Sequence, residues 1–275
     1  MTLASLSVAF MSAVCMIALA GLPAGAEQRA LARCDTKRVE SSLAYPQIGH
    51  ARVDAALAHF AAQELERHIH DLEEALGPPT ESGQGKPSRL EGHYTLFRPS
   101  PQTVSVLFEL LAVSPHWLAP RRYFATRSYR LPAGEELTLA DVFEDLPDAL
   151  KVLAKQCSPK LLTQILEQVP QESLEMVWYL RSRLITPGHP MPDGVDLAEF
   201  SRRGGDAPAM RLLESVVRGT LAEPDNYKHF VLTPNGLRIQ FEPLQLGGPE
   251  TGAPHVDLSL KELRTAKPHL HLWGR

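Results

Sequence analysis

The stretch "RLEGHYTLFRPSPQTVSVLFELLAVSPHWLAPRRYFATRSYRL", residues 89–131, decides the fold. It holds three strand-like runs separated by proline-rich breaks. In the second run Val104, Val106, Phe108 and Leu110 alternate on one face. In the third, Tyr123, Ala125, Arg127 and Tyr129 alternate against Phe124, Thr126 and Ser128. Alternation at a period of two is the signature of a half-buried strand, and three such runs in succession predict an antiparallel meander.

The flanking sequence sets the class. Upstream, "HARVDAALAHFAAQELERHIHDLEEAL" spaces Val53, Leu57, Phe60, Leu65, Ile69, Leu72 and Leu76 three to five apart, which predicts a long amphipathic helix stopped by the glycine and prolines at 77–79. Residues 31–42 are strand-like, and Pro46 and Gly49 close that segment. Downstream, "PAGEELTLADVFED" reads as a turn and a short extended piece, with Thr138 or Asp141 capping a helical entry. From Pro147 to about Leu184 the apolar spacing is helical, and Pro159 and Pro170 predict two or three helices rather than one. "DAPAMRLLESVVRGTL" is a further short helix, and "HVDLSLKELR" a strand running into a helical turn. Between them "FVLTPNGLRIQF" reads as a hairpin around a three- or four-residue turn, with Gly236 supplying positive φ. Strands and helices are grouped rather than alternating. The expected class is α+β: an antiparallel sheet with a long helix packed on it and additional helices.

The first 26 residues contain no charged side chain and end in Ala24-Gly25-Ala26. This predicts a signal peptide cut before Glu27, with an uncleaved anchor as the alternative. Val14 precedes Cys15, which argues against lipidation at that cysteine. Residues 27–275 then form a single α+β domain, subdivided as 27–131 and 132–264, with a helical insert at about 170–205 and a tail at 265–275. The expected location is the periplasm or the exterior, with no membrane span after cleavage. A formal charge of −4, from 28 basic and 32 acidic residues, with the basic ones dispersed, excludes an extended nucleic-acid surface. Two cysteines remain after cleavage, Cys34 and Cys157. They are either two buried thiols or a disulfide, which would close a loop of about 120 residues and stabilise by about 4–5 kcal/mol in the chain-entropy model.

Motifs that carry chemistry are few. No G-x-S-x-G elbow and no phosphate-cradling loop is present. Glu73-Glu74 and Glu135-Glu136 read as solvated charge. His68 and His70 on a helix point in different directions, so they share no metal. His269 and His271 would share a face of an extended tail, but no third ligand can be named, and a frayed end is the simpler reading. No catalytic residue, metal or cofactor is expected. The loop "SPHWLAP" holds His116 and Trp117, followed by Arg121 and Arg122. These four are the binding candidates, because a tryptophan held between prolines suits an interface anchor. The competing reading makes Trp117 a cap on the sheet core.

The ordered series "LAYPQIGHARVDAALAHFAAQ", "TVSVLFELLAV", "YFATRSYRLPAGEELTLADVF", "NYKHFVLTPNGLRIQFEPLQLG" and "HVDLSLKEL" resembles the RsiV-like family of exported domains. That family includes the extracellular part of lysozyme-sensing RsiV-type anti-sigma factors and the accessory region of PdaC-type peptidoglycan deacetylases. The resemblance spans most of residues 31–264. It implies a compact exported α+β unit that binds a partner, either a lysozyme-like protein or peptidoglycan, and is not itself an enzyme. The alternative is a peptidoglycan-modifying enzyme or an accessory factor of one. One departure is clear: relatives carry a Gly-Gly-Ala-His-like loop where this chain has "SPHWLAP".

Overall fold

The computed structural model describes residues 15–18, 28–76, 87–115, 117, 119–166, 216, 218–242, 245–246 and 254–275. The architecture is α+β, and the chain divides into two compact units: residues 1–93 with 110–121, and residues 94–109 with 122–275. The dividing lines fall within three strands, Ser88–Ser100, Thr103–Val113 and Arg121–Arg130. The expected insert at about 170–205 and most of the helix expected before the hairpin lie outside the described residues.

In the first unit the strand order is β1 (Cys15–Ala18), β2 (Gln28–Cys34), β3 (Val39–Gln47) and the start of β4 (Ser88–Ser100). β1/β2 and β2/β3 are antiparallel, while β3 and β4 run parallel. The parallel pair follows from the connection. Helix α1 (Ala51–Leu76) carries the chain back across the sheet between them, and parallel neighbours need such a crossover. Its start is fixed locally, where Asp54 accepts the N–H groups of Ile48 (2.7 Å) and Gly49 (3.1 Å), and Gly49 takes φ +81°, a left-handed value that suits glycine. The stripe Val53, Leu57, Phe60, Leu65, Ile69 and Leu72 is buried as its spacing predicts, and α1 packs on β2 and β3. Ala30, Ala32, Leu43 and Tyr45 are buried in those two strands. Their small β2 residues let the helix lie close.

The second unit takes in the remainder of β4, residues 103–109 of β5 (Thr103–Val113), residues 122–130 of β6 (Arg121–Arg130) and β7 (Glu135–Glu136), in that sheet order. Every residue of β5 from Thr103 to Phe108 is buried, so here the strand is covered on both faces rather than one. A second sheet has the order β10 (His255–Ser259), β9 (Gly236–Gln240), β8 (Phe230–Thr233), antiparallel throughout. The hydroxyl of Ser105 ties the two, bonding to that of Ser128 (2.7 Å) and accepting the N–H of Leu232 (3.1 Å). Helix α2 (Leu146–Leu166) covers this core with Leu153, Cys157, Leu161 and Ile165.

Three expectations need correction. Pro159 does not break α2. Proline removes one backbone bond and costs stability, but buried side chains on both sides of it share one core, and Thr163 donates to the Pro159 carbonyl (3.0 Å). The hairpin turn is shorter than expected, since Thr233 pairs with Gly236 and only Pro234 and Asn235 connect the strands. Gly236 is required there by close approach, because a Cβ would meet the Leu258 carbonyl oxygen at 2.0 Å. The C-terminus is not frayed. Leu270–Trp273 forms a 3-10 turn, Leu272 and Trp273 are buried, and the indole N–H lies within bonding distance of the Thr233 (2.9 Å) and Gly236 (3.2 Å) carbonyls. Pro268 also bridges to Phe143. The tail therefore closes the hairpin.

Candidate functional site

The two prolines of "SPHWLAP" deny N–H groups and fix φ, so the β5–β6 connection turns tightly. The Trp117 N–H bonds to the Ser114 carbonyl (3.1 Å), which sets the indole, half-buried, beside the first residue of β6. The Arg121 guanidinium lies 4.1 Å from the centre of the Trp117 ring. A cation over an indole face is held electrostatically by the ring quadrupole, worth about 0.5–1 kcal/mol at an exposed site. Arg121 is exposed, and among the described residues no carboxylate lies within ion-pair reach of it. Val113, 43% exposed, ends the preceding strand. The result is an apolar plane and an uncompensated cation presented together.

The structure thus unites two of the four sequence candidates. Arg122 belongs to the other unit, where it is paired with Glu109 across the sheet (3.1 Å). His116 lies outside the described residues. Trp117 is neither the buried core cap of the competing reading nor a fully exposed anchor. Of the two cysteines, Cys34 is a buried thiol in the first unit and Cys157 a buried thiol in the second. Burial pushes the Cys157 thiol well above its usual range, as expected for an inert core cysteine.

The second unit holds a charged cluster that sequence reasoning missed. A groove of about 440 Å³ is lined by Lys160, Thr163, Gln164, His255, Val256 and Asp257. Its polar groups are already engaged. The Gln164 amide donates to the His255 carbonyl (3.0 Å), the Lys160 ammonium to the Asp257 carbonyl (2.9 Å), and the Ser259 N–H donates to Glu262 (2.8 Å). Lys160 also pairs with Glu262 (2.8 Å), and Arg238 grips Asp257 through two nitrogens (2.7 and 2.8 Å). Residues 255, 257 and 259 are the alternate set on β10, whose backbone groups do not serve the ladder to β9. Side chains cap that edge in place of a further strand. Burial works to raise the Glu262 carboxyl, but the hydrogen bonds from Lys160 and Ser259 hold it down at about 2. The available signal was the polar pair Lys160 and Gln164, four apart and so on one side of helix α2.

The His229 ring bonds to Glu242 (2.8 Å), which Lys228 also reaches (3.1 Å). The His229 bond, joined by that of Lys228, keeps Glu242 near 2. Among the described residues no hydroxyl or thiol is bonded to this pair of side chains. His269 and His271 stand 5.6 Å apart between ring centres on the docked tail. Among the described residues no group of three His, Cys, Asp or Glu side chains converges to hold a metal ion. No described helix is long and apolar enough to cross a membrane.

No family model and no curated protein matches the sequence. Among solved structures, one from Pseudomonas aeruginosa PAO1 matches over 94% of this chain and 95% of its own, at 9% identity and a TM-score of 0.39. Another, from Bacteroides fragilis NCTC 9343, matches over 96% of this chain and 95% of its own, at 10% identity and a TM-score of 0.44. Both neighbours are DUF3298 family proteins.

Proposed function

We propose that the chain is an exported, non-enzymatic binding domain of the RsiV-like type, acting in the periplasm or at the cell exterior and recognising a partner of the envelope. The observation that carries this reading is the Trp117–Arg121 pair. An indole plane beside a cation without an acidic partner suits a ligand that offers an apolar face next to a carboxylate. Carboxylate-bearing peptidoglycan fragments have that chemistry. A lysozyme-like protein is the partner suggested by the family resemblance, and it would meet the same pair as an interface anchor.

Pull-down of muropeptides and of lysozymes by the purified protein tests the reading. Trp117→Ala and Arg121→Ala are expected to lower the captured fraction at least 10-fold while the melting temperature stays within about 2 °C. A core role for Trp117 would instead lower stability by about 3–5 kcal/mol. Capture of neither partner by the unaltered protein would sink the proposal. Turnover of muropeptides would favour the alternative, a peptidoglycan-modifying enzyme or an accessory factor of one, with the His229–Glu242 pair as the first place to look.

A further inference from the structure

We infer that the outer edge of β2 is a strand-docking surface for an extended acidic segment of a partner protein, and that β1 occupies it in the unprocessed chain. The backbone supplies the first argument. β1 pairs antiparallel with β2, with Cys15 opposite Cys34, Met16 opposite Arg33, Ile17 opposite Ala32 and Ala18 opposite Leu31. This edge is therefore shaped to receive a strand. β1 lies in the segment read as a signal peptide, so the inference rests on the export reading. Once that segment is cut before Glu27, β2 becomes the last strand of its sheet.

An uncovered edge exposes a row of backbone donors and acceptors that pair with any extended chain unless something blocks them. β10 is blocked by Gln164, Lys160 and Glu262. Residues 29–33 of β2 receive no side-chain cap from the described residues. The edge is left open to a strand.

Charge selects the occupant. Arg29 and Arg33 are both exposed, four residues apart and hence on one face of the strand, about 13 Å from each other. Among the described residues neither has a carboxylate within ion-pair reach, although the chain as a whole carries −4. Opposite charges facing each other across a strand pair stabilise, and like charges oppose pairing. A second copy pairing antiparallel about Leu31 would set Arg29 against Arg33 twice, which disfavours self-association. A segment with two acidic residues four apart satisfies both cations. Its alternate residues would face the side where Ala30 and Ala32 are buried and small, so they would be apolar. Strand addition of this kind draws affinity from main-chain bonds and specificity from alternate side chains.

The test uses protein recovered after export, its N-terminus read by mass spectrometry. The probe is a fluorescent eight-residue peptide of alternating valine and threonine in which two threonines four apart are replaced by glutamate. A control carries lysine at the same two places. The glutamate peptide is expected to bind at least 10-fold more tightly, to slow amide exchange in residues 28–34, and to lose its advantage on Arg29→Glu/Arg33→Glu, which should favour the lysine peptide. Equal binding of both peptides, no binding, or slowed exchange elsewhere overturns the inference. If residues 1–26 are retained, the export reading has failed by itself. The edge is then tested in the full chain with Ile17→Pro, which must increase glutamate-peptide binding for the inference to stand.

Discussion

The two units treat their sheet edges in opposite ways. In the second unit, β10 is sealed by Lys160, Gln164 and Glu262, and the far end of the same small sheet is locked by Trp273 over the β8–β9 turn. In the first unit, β2 is covered by β1, a four-residue strand in the segment read as a leader, and the β5–β6 loop presents Arg121 and Trp117 without an acidic partner among the described residues. Side chains carried by the folded unit stay with it, whereas a terminal strand can be removed by cleavage. On the proposed reading, the second unit supplies stability and the first recognition.

The comparison breaks most readily at Trp273. Removing a buried indole with two carbonyl partners leaves a cavity and unpaired acceptors, so Trp273→Ala is expected to cost about 3–5 kcal/mol in chemical denaturation. A loss under 1 kcal/mol would mean that the tail is an appendage after all. Lys160→Ala comes next. It leaves the Asp257 carbonyl without its cap and Glu262 without its ion pair, for an expected loss of about 1 kcal/mol and faster amide exchange in residues 255–259. Unchanged exchange there would show that the edge is protected by other means.

The smallest effect is on pH dependence. Glu242 and Glu262 have folded pKa values near 2, below the ordinary value of about 4.3 in an unfolded chain. Between those values the unfolded state binds more protons, so their stabilisation is complete above about pH 5 and is lost as the pH falls toward 2. The melting temperature of the unaltered protein should drop between pH 5 and pH 3, and Glu242→Gln/Glu262→Gln should flatten that slope. An identical slope in the variant would show that other carboxylates carry the acid sensitivity.

Much of the scaffold was legible because its signals are local. The period-two runs gave β4, β5 and β6 within a residue or two, and the stripe from Val53 to Leu72 gave α1. What escaped depends on contacts distant in sequence. Pro159 looks like a helix breaker until the core on both of its sides is known. "HLHLWGR" looks like a frayed end until the two carbonyls of a turn 40 and 37 residues earlier meet the Trp273 indole. The candidate site was half legible. Trp117 and Arg121 stood out by residue type and loop position, but adjacency in sequence also drew in Arg122, which the sheet commits to Glu109. The sealed edge was invisible, because a lysine and a glutamine on a helix carry no mark of the strand whose carbonyls they meet.

The most direct test of the division between a recognising and a stabilising unit is amide hydrogen exchange of the exported protein with and without soluble muropeptides. Slowed exchange is expected in the peptide spanning 110–121, with residues 254–275 unchanged. Protection of residues 254–275 with residues 110–121 unaffected would contradict it.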